Sequence, residues 1–237
     1  GNYTSIFEKK ISKITKCKYV VALNSGTSAL QLAINAVGIK KNNEVLIPAL
    51  NFIASTNATI YNNAIPHFIE VDNSLNIDTS KLENYLLNIS KLKKNKCINI
   101  KTKREIKAII PTHVFGHIGN MDKLLKICKK FKLKLIEDSS EAFGSYFKKK
   151  HAGSFGLVGV FSFNGNKIIT TGAGGAIVTN SKSVANRVRY LSTTAKIKIK
   201  NKVIHNEVGY NYRMPSLNAA LGIAQLSKFK LIRQSKV

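Results

Sequence analysis

The sequence predicts an α/β protein built on a largely parallel sheet. Short apolar runs rich in Ile and Val alternate along the chain with amphipathic stretches of helical period. A glycine-containing turn, Asn24-Ser25-Gly26-Thr27-Ser28, joins an early apolar run to a helix. A later run, Leu135-Ile136-Glu137-Asp138, ends on acid, at the place where open α/β sheets hold their ligands.

In order along the chain, Tyr3 to Ile14 has the spacing of an amphipathic helix, with Ile6, Phe7, Ile11 and Ile14 on one side. Tyr19 to Leu23 reads as a short buried strand. The helix after the Gly26 turn carries Leu30, Ala33, Ile34 and Val37 inward and stops at Gly38. Glu44 to Pro48 is a strand, Asn51 to Asn62 a helix, and Ile65 to Val71 a strand. Residues 88 to 105 are polar and of low complexity, and are predicted to form a surface excursion. Ile106 to Pro111 is an Ile-rich strand, Met121 to Phe131 a helix, and Leu133 to Glu137 a strand running into Asp138. Val158 to Phe163 and Gly175 to Thr179 complete the strands, and Val184 to Leu191 is a helix. No internal repeat and no boundary divides the 237 residues, which suffice for one sizeable core.

The net charge of +26 admits a nucleic-acid or anionic-membrane binder. Against this, the charge is almost all lysine, with Arg only at 104, 187, 189, 213 and 233, and Asn and Ile are abundant, as AT-rich coding produces. The densest runs, Lys91 to Lys107 and Lys196 to Lys202, read as solvated loops or helix faces. They lack the interleaved aromatic residues of single-strand binders. Cys17, Cys97 and Cys128 form neither a CxxC pair nor a zinc pattern, which points to three reduced thiols and a cytoplasmic protein. Five scattered histidines without acidic companions predict no metal site, although His113 and His117 flank a candidate pocket position. No stretch reaches the ~20 apolar residues of a membrane span. No secretory signal is visible, and the chain opens on Gly1 rather than Met.

Three segments carry chemistry. The Gly26 turn presents free backbone N–H groups and a helix dipole, a ready anion site to which Thr27 and Ser28 add hydroxyls. By itself the turn reads first as an N-cap. Asp138 can face a heterocyclic nitrogen and keep it protonated, or cap the next helix. Lys167 stands in Ser162-Phe163-Asn164-Gly165-Asn166-Lys167-Ile168-Ile169-Thr170-Thr171-Gly172, small and polar surroundings unlike those of the other lysines. A nucleophilic lysine needs such a shaped pocket.

The order Ser-Gly-Thr-Ser-Ala-Leu, Glu-Asp-Ser-Ser-Glu and Ser-Phe-Asn-Gly-Asn-Lys resembles the DegT/DnrJ-type sugar aminotransferases, which use pyridoxal phosphate. Pro111 to His117, Gly209-Tyr210-Asn211-Tyr212-Arg213-Met214 and Asn218 to Gly222 extend the likeness over almost the whole chain. The nearest subgroup is that of the enzymes aminating C4 of a UDP-linked 4-keto-6-deoxy-N-acetylhexosamine, of the bacillosamine and legionaminic acid type.

The resemblance implies an aspartate-aminotransferase-like (fold type I) large domain. It implies glutamate as amino donor, a nucleotide-sugar substrate, and a homodimer with a shared active site. Lys167 would carry the cofactor and move the proton, and Asp138 would pair the pyridinium. Phe52 would stack on the ring, although it also reads as a helix-face core residue. Gly26, Thr27, Ser28 and Ser162 would hold the phosphate, with Asn211 reaching a phosphate across the dimer. Glu141 would sit near the cofactor's 3-hydroxyl, where relatives often have Gln or His. Arg213 would bind an anionic substrate group or form a structural ion pair. Family members are longer at both ends, so residues 1–237 are expected to be an incomplete large domain, with the C-terminal small domain absent. Rival readings are a sugar dehydratase or other pyridoxal-phosphate lyase, a basic nucleic-acid-binding module, and an inactive remnant. Dehydrating relatives replace the lysine with histidine, so Lys167 favours transamination.

Overall fold

A computed structural model describes residues 2–200 and 202–235. Helix α1 (Asn2–Thr15) precedes β1 (Tyr19–Leu23), α2 (Gly26–Ala36), β2 (Glu44–Pro48), α3 (Ala54–Tyr61) and β3 (Ile65–Ile69). Then come α4 (Thr79–Ile89), a hairpin of β4 (Ser90–Lys93) and β5 (Lys96–Asn99), β6 (Glu105–Ile109), α5 (Met121–Phe131) and β7 (Lys134–Asp138). A small hairpin of β8 (Tyr146–Phe147) and β9 (Lys150–His151) leads to β10 (Val158–Ser162) and β11 (Gly175–Thr179). The chain continues through α6 (Lys182–Ser192), a hairpin of β12 (Lys196–Ile199) and β13 (Lys202–His205), α7 (Ser216–Ser227) and α8 (Phe229–Gln234).

The main sheet runs β1-β11-β10-β7-β6-β2-β3. Strands β10, β7, β6, β2 and β3 are parallel, and β11 is antiparallel to both neighbours. All five residues of β2 and of β11 are buried, as befits strands covered on both faces. One core joins the sheet to α2, α3 and α6 through Leu30, Ile34, Ile47, Val160 and Val188. A second, around Leu46, Leu86, Leu124 and Ile127, seats α4 and α5. A third packs α1 and α7 through Phe7, Ile11, Phe163 and Ala219. Helix α5 shows how sequence sets an element. Met121, Leu124, Ile127, Cys128 and Phe131 recur at helical spacing and are buried. Asn120 caps the start by accepting from the Lys123 N–H at 3.1 Å, and left-handed Lys132 (φ 59°) closes the end.

Several expectations need correction. The helix predicted from Asn51 begins at Ala54, because Asn51 Nδ2 donates back to the Pro48 carbonyl at 2.7 Å and holds residues 48–51 in a bend ahead of it. Ile6 is exposed, while Phe7 and Ile11 on the same helix are buried. The excursion predicted at residues 88–105 is the β4–β5 hairpin, added antiparallel to the start of β6, with Cys97 and Asn99 buried. Its anchor is the buried carboxylate of Glu44. Glu44 accepts from Asn99 Nδ2 at 3.0 Å and from the Thr102 hydroxyl, and pairs with His67 Nδ1 at 2.8 Å. In the second lysine run, Lys196–Ile199 is strand β12, paired antiparallel with β13, and neither a loop nor a helix face. Among the described residues no helix is long and apolar enough to cross a membrane, and no three His, Cys, Asp or Glu gather as a metal site.

Candidate active site

The carboxyl ends of β2, β7 and β10 and the N-terminus of α2 meet around one cavity of about 620 Å³. Gly26, Thr27, Phe52, Asp138, Glu141, Ser162 and Lys167 all line it. This is the carboxyl-end crevice where open α/β sheets bind ligands.

Each wall has a local cause. Ser25 caps α2 by accepting from the Ser28 N–H at 3.0 Å, so the amides of Gly26 and Thr27 precede the helix's own bonds. They place the positive end of the dipole at the cavity. A Cβ on Gly26 would stand 2.9 Å from Ser162 Cβ and 3.5 Å from Ser140 Oγ, so only glycine lets the helix approach β10 this closely. Opposite, Asp138 is the last residue of β7, 2% exposed. Its Oδ2 accepts from Ser55 Oγ at 2.8 Å and its Oδ1 from the Ser140 N–H at 3.2 Å.

Lys167 follows a turn in which its N–H donates to the Asn164 carbonyl at 3.1 Å. The loop beyond is gripped from α7, where Asn218 Nδ2 donates to the carbonyls of Thr171 (2.7 Å) and Ala173 (3.1 Å). Lys167 Nζ, on a side chain only 17% exposed, lies 3.0 Å from Glu141 Oε1, and Glu141 Oε2 accepts from the Phe115 N–H at 2.9 Å. Burial pushes the Glu141 carboxyl up. The bonds from Lys167 and Phe115 and the Lys167 charge outweigh it and hold the group below its usual value.

Phe52 lines the cavity at 72% exposure, which excludes the helix-face core reading. Ser28 lies outside the lining, its hydroxyl 2.7 Å from Ser25 Oγ, where it serves the cap. Asn211 is exposed, bridged to Thr193, and also outside the lining. Arg213 makes the structural ion pair, 3.5 Å from Glu8 Oε1 beside Arg189. His113 is buried against Glu137 at 3.1 Å. Glu137 also accepts the N–H groups of Gly153, Phe155 and Gly156, a structural role next to Asp138.

Ser55, Thr112, Ser140 and Asn166 escaped the sequence reading. Thr112 lines the cavity with a buried hydroxyl that has no protein partner. A second cavity of about 640 Å³ adjoins the first, shares Phe115, Glu141, Asn166 and Lys167 with it, and extends to Tyr146 and Arg233.

A lysine amine and a buried strand-end carboxylate across one cavity from a helix N-terminus, on a mostly parallel sheet, define the class: the pyridoxal-phosphate fold type I of aminotransferases. Residues 1–237 match the DegT/DnrJ/EryC1/StrS aminotransferase family, and the chain belongs to it. It is 38% identical over 228 residues to GDP-perosamine synthase of Escherichia coli O157:H7, covering 96% of this chain and 58% of that protein. It is 36% identical over 231 residues to UDP-4-amino-4,6-dideoxy-N-acetyl-β-L-altrosamine transaminase of Campylobacter jejuni, covering 96% and 57%. Among solved structures, PseC of Helicobacter pylori, an aminotransferase involved in the biosynthesis of pseudoaminic acid, superposes with a TM-score of 0.86 at 29% identity over 98% of this chain and 59% of that one. The chain thus spans about 58% of the length of such relatives.

Pyridoxal phosphate is the cofactor the family implies. The residues fit it: a glycine-only cradle at a helix N-terminus for a phosphate, an orphaned Thr112 hydroxyl, a buried carboxylate, and an amine, around a space of suitable size.

Proposed function

We propose that this chain is the cofactor-binding large domain of a sugar aminotransferase. It moves an amino group from glutamate to C4 of a nucleotide-linked 4-keto-6-deoxy sugar, a UDP-linked N-acetylhexosamine, in amino-sugar and surface-glycan synthesis. The observation that carries the reading is the convergence of Lys167, Asp138 and the Gly26 helix terminus on one cavity.

When bound, pyridoxal phosphate supplies an electron sink conjugated to the carbon that gains or loses the amine. The chain's residues do the rest. Gly26, Thr27 and Ser162 hold the phosphate against the dipole of α2. Asp138 orients the ring and keeps its nitrogen protonated. Phe52 covers one face of the ring. Lys167 would hold the group and, as a free amine, would act as the acid/base that moves a proton between a cofactor carbon and the sugar carbon. Glu141, 3.0 Å away, keeps the Lys167 amine at that station. In this reading two copies associate, Asn211 of each reaching the other's phosphate, in the cytoplasm. Three unpaired cysteines accord with that compartment. A GDP-linked sugar is the second reading, favoured by the 38% identity to a GDP-perosamine synthase.

The deciding experiment mixes the protein with pyridoxal phosphate and follows the visible spectrum beside Lys167→Ala. A yellow band that the variant lacks while keeping its fold, and that bleaches with glutamate, is the expected result. A folded, dimeric protein without the band refutes the reading. Product formation from UDP- and GDP-linked keto-sugars then separates the two substrate readings.

A further inference from the structure

Asp138 has two protein donors among the described residues, and they differ in kind. Its Oδ1 takes the backbone N–H of Ser140, a bond that follows from the turn after β7. Its Oδ2 takes the hydroxyl of Ser55, a side chain at 0% exposure from an element 83 positions away. Ser55 sits in the first turn of α3, the helix that follows the Phe52 turn. Its carbonyl is held in turn by the Thr59 hydroxyl at 2.9 Å. The cavity therefore meets a carboxylate whose plane is set by α3.

Resting on the reading above, we propose that Ser55 is a positioning residue for the cofactor: its hydroxyl fixes the plane of the Asp138 carboxylate against the ring nitrogen. The physical argument is angular. A carboxylate held by one N–H alone can rotate about its last bond, and a charge-assisted N–H···O bond weakens steeply off line. A second donor on the other oxygen removes that rotation. Because α3 also follows directly on Phe52, one short helix sets both the partner of the ring nitrogen and the residue facing the ring.

The test uses Ser55→Ala, Ser55→Thr and Asp138→Asn in the full chain. Pyridoxal-phosphate affinity and the pH at which the visible band converts are read beside the melting temperature of the cofactor-free protein. Ser55→Ala is expected to weaken affinity about tenfold and to move the conversion pH, with Ser55→Thr restoring both. In an Asp138→Asn background Ser55→Ala should cost no further affinity. Should Ser55→Ala fail to fold, the near-isosteric Ser55→Cys, a weak donor, should show the same loss. Affinity and conversion pH both within twofold of the parent, with only the melting temperature lowered, overturn the proposal and leave Ser55 a packing residue. A parent protein that shows no band overturns the aminotransferase reading and this inference together.

Discussion

Gly26→Ala tests the site at its tightest point. The added Cβ would stand 2.9 Å from Ser162 Cβ and 3.2 Å from its Oγ, closer than carbon and oxygen tolerate. Ser162 cannot simply withdraw, because it is the last residue of β10 and is in register with Gly175 of β11. Gly175 is itself packed against Ser25, where a Cβ would lie 2.3 Å from the carbonyl oxygen. The N-terminus of α2 must instead lift by several tenths of an ångström. Overpacking of this kind costs about 1–3 kcal/mol, or roughly 3–10 °C of melting temperature for a chain of this size. The lift carries the Gly26 and Thr27 amides away from the cavity, so pyridoxal-phosphate affinity should fall roughly 10–100-fold. Gly165→Ala is the control. It lies two residues before Lys167, and its Cβ would meet nothing within 4 Å. Thermal melts and cofactor titration of both variants decide the matter. Unchanged stability and affinity in Gly26→Ala would refute the cradle argument, and equal losses in both would show that any change near the site is harmful.

Two further predictions concern titration. Burial pushes the Glu44 carboxyl up, but the bonds from Thr102, His67 and Asn99 pull it further down. With the folded value depressed, the stabilisation is complete above the ordinary carboxyl value of 4.5 and is lost as pH falls through the folded value. Glu44→Gln should therefore cost about 1–3 kcal/mol at neutral pH and flatten the acid limb of stability against pH, as urea melts from pH 7 to 3 would reveal. Burial raises the Cys128 thiol to about 12. Native protein at pH 8 should be alkylated at Cys128 on the order of 1000-fold more slowly than unfolded protein, measured by mass spectrometry of the Cys128 peptide.

The legible parts of the fold were those written in one contiguous stretch. Helix α5 and strands β1, β2 and β11 lie at their predicted residues, because apolar spacing and local caps decide them. Asp138 and Lys167 stood out because each residue type is unusual for its neighbourhood, and both line the same cavity. Contacts between distant residues left no such trace. Ser55 looks like any helical serine until β7 brings Asp138 to it. The β4–β5 hairpin was hidden in a lysine-rich run, and its anchor on Glu44 spans 55 positions to Asn99. Arg213 offered two roles on paper, and Glu8, 205 positions earlier, chose between them. Asn51 was counted into a helix because its spacing fits, yet a single side-chain bond to Pro48 held it out and left Phe52 at the cavity.

Strand β11, antiparallel to both of its neighbours, has a consequence for how the molecule comes into being. Strand β1 finds its partner in β11, which is synthesised more than 150 residues later. Until Thr179 has been added, the turn that opens α2 has neither Gly175 beneath it nor a completed sheet edge beside it. The parallel strands β2, β3, β6 and β7 can assemble from the ribosome outward as they appear. The turn that opens α2 cannot. It is made well before β11 and takes its shape only once β11 has joined the sheet, so the opening of α2 stays unfinished until β1 and β11 have paired.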